Sequence, residues 1–193
     1  MLAFYEIMRI FAIVLLLLPA LSACDLFRLR DSDPPTKPPL WNDFSTDWQK
    51  CMENLEFCYE DGRNVVKYSG LFTQDYSFHF SAQDANDYNI PQPWNRSQEQ
   101  DMLINLHSQS DSIRITLEPL EGQNDDISAN EARIYRKYTL NLYKAGVTTP
   151  EVYSGNLELQ FNLSSGYWYI SRWYDYRAYS HPTWGKMKYD YSQ

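Results

Sequence analysis

Leu157-Glu158-Leu159-Gln160-Phe161-Asn162-Leu163-Ser164-Ser165-Gly166-Tyr167-Trp168-Tyr169-Ile170 is the stretch that decides the fold. Apolar and polar residues alternate up to Ser164, the period of a half-buried strand. Ser164-Ser165-Gly166 is a tight turn into a second strand, Tyr167–Tyr176, so the two must lie antiparallel. Upstream, Tyr153 extends the first of these strands. Ile113, Ile115 and Leu117 mark another, and Ala132, Ile134, Tyr138, Leu140 and Leu142 mark a third, with Arg136 interrupting its apolar register. The C-terminal half is therefore a run of long antiparallel strands.

The residues before it follow a different period. Trp48, Cys51, Met52, Leu55, Cys58 and Tyr59 recur at three and four, which predicts a helix capped by Ser45 or Thr46 and ended by Gly62. Residues 64–70 predict a short second helix. Tyr76, Phe78 and Phe80 alternate with Ser77, His79 and Ser81 as a strand, and residues 84–93 read as polar loop. Asn95 and Gln98 form a capping box for a third helix that buries Met102, Leu103 and Leu106. Helices first and strands afterwards predict an α+β fold, with the N-terminal helices packed on a curved antiparallel sheet.

Composition narrows the function. The formal net charge is −8 with both signs interspersed, which disfavours nucleic acid and anionic headgroups, since both are bound through cationic patches. His79, His107 and His181 are dispersed, which argues against zinc, and no phosphate-cradling glycine loop or nucleophile elbow is present. No cofactor is implied. Cys51 and Cys58, seven apart in one helix, are too far apart to bridge and read as buried thiols.

Two stretches resemble known families. Leu21-Ser22-Ala23-Cys24, behind the apolar run Phe11–Leu18, resembles the lipobox of bacterial lipoproteins. That resemblance implies a signal peptide over residues 1–23, lipidation of Cys24, and a chain held outside the cytoplasm on a membrane, with Asp25 resembling an inner-membrane retention signal. Translation from Met8 rather than Met1 would give a more ordinary positive start. Residues 24–40, rich in proline, read as a tether, and residues 41–193 as the folded domain. Within that domain the helix–strand layout is similar to the nuclear-transport-factor-2-like (NTF2-like, SnoaL-like) cone. Trp94-Asn95-Arg96-Ser97-Gln98-Glu99, Trp168–Asp175 and Thr183-Trp184-Gly185-Lys186-Met187-Lys188 resemble uncharacterised bacterial lipoproteins carrying it.

The cone implies a pocket between sheet and helices. Arg136 is the first candidate to line it, because a buried guanidinium needs an acidic partner or a ligand carboxylate. Its alternatives are an internal ion pair or a stem lying along apolar surface. Arg172, Trp173 and Asp175 are candidates for the same mouth, and Arg172 with Asp175 could equally be an exposed pair. Isomerases of this fold use an Asp or His base with a Tyr or Asp partner. His79, Asp75, Asp84 and Asp87 are of matching type, but none falls on a motif that transfers. Three readings stand open: a lipoprotein binding a small ligand or a partner protein, an isomerase or lyase, and a structural module that dimerises through its sheet.

Overall fold

Asp47 opens the first helix: its carboxylate accepts the Lys50 backbone N–H at 2.9 Å and caps α1, Trp48–Phe57. The cap lies beyond the expected Ser45 or Thr46, because Asp47 is the residue whose side chain reaches the third amide of the helix. A π-helical turn, Cys58–Gly62, continues it, and Asn64 then caps α2, Val65–Ser69. The computed structural model describes residues 41–62, 64–91 and 94–193, all within the compact unit Pro39–Gln193. The expected signal peptide, Cys24, the two candidate start residues and the tether lie outside the described residues.

β1 (Phe72–His79) enters the sheet, followed by α3 (Ala82–Asp87) where a loop is expected. Ser81 and Asp84 explain the difference. The Ser81 hydroxyl accepts from the Asp84 amide and donates to the Asp84 carboxylate, at 3.1 and 2.6 Å, so an apparent turn pair is a helix cap. β2 (Trp94–Asn95) leads into α4 (Arg96–Gln109), whose capping box is formed as the sequence implies, with Met102, Leu103 and Leu106 buried. The strands β3 (Ser112–Pro119), β4 (Asp126–Ile127), β5 (Glu131–Tyr143), β6 (Glu151–Ser164) and β7 (Tyr167–Tyr176) follow, then α5 (Trp184–Asp190).

The seven strands form one sheet in the order β2-β1-β7-β6-β5-β3, with β4 on β5. β6 and β7 close through Ser165 and Gly166, both at positive φ, the two-residue turn that suits right-twisted strands. One pairing departs from expectation: β1 lies parallel to β7, with Phe78 opposite Trp173, so the sheet is mixed rather than antiparallel throughout. Alternation shows which face a strand buries and carries no information about its direction. Helices cover one face of the sheet, here called the inner face. Ile134, Tyr138, Leu140, Leu159, Phe161, Ile170 and Trp173 point there and are fully buried. Among the described residues no helix is long and apolar enough to cross a membrane.

Candidate functional site

The interior of the cone is organised by α5, which brings polar groups to three buried carboxylates. Glu99 sits in α4 one position beyond the capping box, and its spacing from Met102, Leu103 and Leu106 turns it inward. Lys188 of α5, four residues after Trp184, turns inward in the same way. Both are fully buried, with the ammonium 2.5 and 2.6 Å from the two carboxylate oxygens. Tyr68 and Tyr76 donate to the same carboxylate at 2.6 and 2.9 Å, and Tyr59 lies 3.2 Å from the Tyr68 hydroxyl. The ammonium also sits 3.8 Å from the Trp173 ring centre and 4.2 Å from that of Phe78. Burial pulls the Lys188 pKa down to about 8, against the opposing pull of Glu99.

Asp175 is the second carboxylate. It accepts from the Tyr138 hydroxyl at 2.6 Å and from the Gly185 amide at 2.7 Å, while Tyr138 accepts from the Trp184 amide at 2.8 Å. Burial raises its pKa to about 6, partly offset by these hydrogen bonds. Gly185 is required by proximity: a Cβ there would lie 2.8 Å from Asp175 Oδ2 and 2.9 Å from the Phe80 ring. Asp84 is the third, accepting from Ser81 and from Thr183, the α5 N-cap, at 2.6 and 2.7 Å, and pairing with Arg177. Aromatic rings fill the remaining space, with Trp184 edge-on to Trp173, Tyr59 and Tyr138 at centroid distances of 4.8, 5.1 and 5.3 Å. The indole N–H of Trp173 is buried without a hydrogen-bond acceptor.

The residues singled out from sequence do not converge. Arg136 is 8% exposed and held by Asp125 through two bonds of 2.9 Å, with a third from its guanidinium to the Tyr135 carbonyl. It is an internal ion pair, and its apolar register is explained without a ligand. Trp173 and Asp175 belong to the filled interior. His79 and Arg172 lie on the opposite, outer face. There His79 stacks on Tyr174 at 4.4 Å and meets Ser77 at 2.9 Å, and its pKa is lowered by partial burial and then by Arg172. Arg172 donates to the Asp75 carbonyl at 2.8 Å, with the Asp75 carboxylate at 3.5 Å. Asp87 pairs with Arg177 at the surface. Cys51 and Cys58 are unpaired and buried as expected, their thiols pushed up to about 12 by desolvation, which leaves no thiolate at neutral pH.

Sequence reading missed Glu99, Lys188 and the tyrosines that serve them. Helical spacing was the available signal, since 99-102-103-106 and 184-187-188-191 each place a charge on an apolar face. Four of the cavities formed by described residues have no lining from Glu99, Lys188, Tyr138 or Asp175. One, of about 310 Å³, is a polar groove on the outer face between Asp75, Glu131, Arg133, Gln160, Asn162 and Arg172. No cluster of metal-ligating side chains occurs among the described residues.

No protein-family model matches the chain, and no curated protein matches it. Solved structures do. A candidate aromatic ring hydroxylase from Novosphingobium aromaticivorans superposes with a TM-score of 0.56 at 10% identity, covering 81% of this chain and 100% of the other. A candidate scytalone dehydratase from the same organism gives 0.55 at 13% identity, covering 72% and 91%. A hexachlorocyclohexane dehydrochlorinase, LinA type 2, gives 0.53 at 10%, covering 68% and 83%. At such identities the likeness concerns fold alone, and it is the α+β cone expected from the layout of helices and strands.

Proposed function

We propose that this chain, whose fold is the NTF2-like cone of those neighbours, is a membrane-anchored extracytoplasmic binding protein. It works by holding a partner protein on the outer face of its sheet, and no reaction takes place in the cone. One observation carries this reading: the place where a pocket would open is filled by the Glu99–Lys188 pair and the rings around it. A catalytic site needs convergent polar groups facing a space a substrate can enter. Here such groups exist, Asp175 with Tyr138 above all, but they face each other and the Gly185 and Trp184 amides. The outer face offers what a protein interface uses: Arg133, Arg172 and Gln160 line an open groove, and Tyr174 and Tyr176 follow further along β7. A second copy of this chain is the first partner to test. Anchoring rests on the lipobox at Cys24.

A photo-crosslinking residue at Gln160, with one at Val147 on a distant loop as control, tests the proposal in intact cells. Protein adducts at 160 and none at 147 are expected. Absence of adducts at 160, together with a small molecule copurifying with the chain, would overturn it in favour of the lyase or ligand-binding reading that the neighbours' names suggest.

A further inference from the structure

At the end of the domain where the tether enters, aromatic side chains are displayed rather than buried. Asn54, itself fully buried, accepts the Asn42 amide at 2.7 Å and donates to the Asn42 carbonyl at 2.9 Å. Ser45 is fixed to β7 by its carbonyl, which accepts the Trp168 amide at 2.8 Å. Residues 42–45 are thus fastened at both ends, and Phe44, between the two fastenings, stands 62% exposed. Phe44 stacks on Tyr167, which is 36% exposed, and Trp41 lies half-buried beneath the Lys67 ammonium at 4.5 Å. Val66, next to Lys67 in α2, is 76% exposed.

Two adjoining cavities, of about 330 and 350 Å³, share Gly70 and Tyr169 and run along this end. Lys67 lines the first and Arg96 the second, and Asp43 is the one acidic residue lining either. The two linings thus place Lys67 and Arg96 among aromatic rings, against Asp43 and the Glu53 carboxylate bonded to the Asn42 side chain, on a chain whose net charge is −8. Aromatic rings beside Lys and Arg are the side chains that favour the headgroup level of a bilayer.

We propose that this anchor-proximal end docks on the lipid surface. Trp41, Phe44 and Tyr167 enter the interface, and Lys67 and Arg96 reach headgroup phosphates. The occupant follows from chain length. Cys24, the lipidation site of the reading above on which this inference rests, is joined to Trp41 by residues 24–40, which span at most about 60 Å. The bilayer is therefore held at high effective concentration around the domain, and this end is the one joined directly to the tether. Docking fixes how the sheet's outer face is presented to a partner, which a loose tether would not.

The test uses the full chain made in a bacterium that processes lipoproteins, mixed with phosphatidylcholine vesicles carrying brominated acyl chains. Flotation reads the anchor, and tryptophan quenching reads docking. The wild type is expected to float and to be quenched, and Trp41→Phe should remove much of that quenching. Phe44→Ser with Tyr167→Ser, both exposed, should still float while the ratio of docked to undocked chain falls about tenfold. Lys67→Glu with Arg96→Glu should lower it as well, so a folding fault in one pair does not decide the matter. A chain that floats without quenching, or is quenched equally in both double variants, overturns docking while the anchor stands. A chain that does not float refutes the anchor. Quenching with vesicles in excess then supports the docking surface, and its absence overturns it.

Discussion

The two faces of one sheet, built from the same strands, spend their polar residues in opposite ways. On the inner side the carboxylates of Glu99 and Asp175 are buried and saturated, Glu99 by Lys188 and two tyrosines, Asp175 by Tyr138 and a backbone amide. On the outer face the ion pairs are looser: Arg133 meets Glu158 at 3.2 Å and Arg172 meets the Asp75 carboxylate at 3.5 Å, all in reach of water. Buried, saturated groups fix one arrangement and leave nothing for a ligand. Exposed, loosely paired groups contribute little to stability and can exchange partners. The inner face is where the fold is held, and the outer face is the one on which the proposed partner would dock.

The largest expected effect comes from breaking the inner pair on one side. Lys188→Met strands a buried carboxylate and should destabilise by about 3–5 kcal/mol in urea unfolding, while Lys188→Met with Glu99→Gln should recover most of the loss. Equal losses in the single and double variants would mean that packing, not charge, holds α5. Gly185→Ala comes next, at about 1–3 kcal/mol, because its Cβ would press on Asp175 and Phe80.

Asp175 gives the contrast in pH. Its folded pKa, about 6, is above the ordinary 3.8, so the folded state binds the proton more tightly. Stability from this group therefore falls as pH rises from about 4 to about 6 and is flat above. The window amounts to something on the order of 3 kcal/mol. Asp175→Asn should erase that component in melts recorded across pH 4–7. Smallest is the outer face, where Arg172→Ala and His79→Ala should each change stability by less than about 0.5–1 kcal/mol. A larger loss there would make the outer face part of the framework.

Much of the fold is legible in the sequence alone. The β6–β7 hairpin, the capping box of Asn95 and Gln98, and the apolar face of β5 are local patterns, and each is formed as written. Arg136 was correctly placed in the buried register, yet its partner Asp125 lies before β5 in a polar stretch that has no periodicity. The parallel docking of β1 on β7 and the pairing of Glu99 with Lys188 join residues far apart in the chain, and no local pattern encodes such a meeting. Arg172, Trp173 and Asp175 stand together in the sequence as neighbours on one strand, and His79 qualifies by residue type alone. Side-chain alternation puts Arg172 and His79, which lies opposite Tyr174, on the outer face, and Trp173 and Asp175 on the inner one.

Native-state hydrogen exchange of α5 tests the central claim most directly, because a filled cone and a lidded one differ in how this helix opens. The amides of Gly185 and Met187, bonded to Asp175 and to the Thr183 carbonyl, are predicted to exchange only with global unfolding, at the same free energy as the amides of β6. Exchange of α5 at a clearly lower free energy, with β6 still protected, would make the helix a lid over a usable pocket and contradict the account.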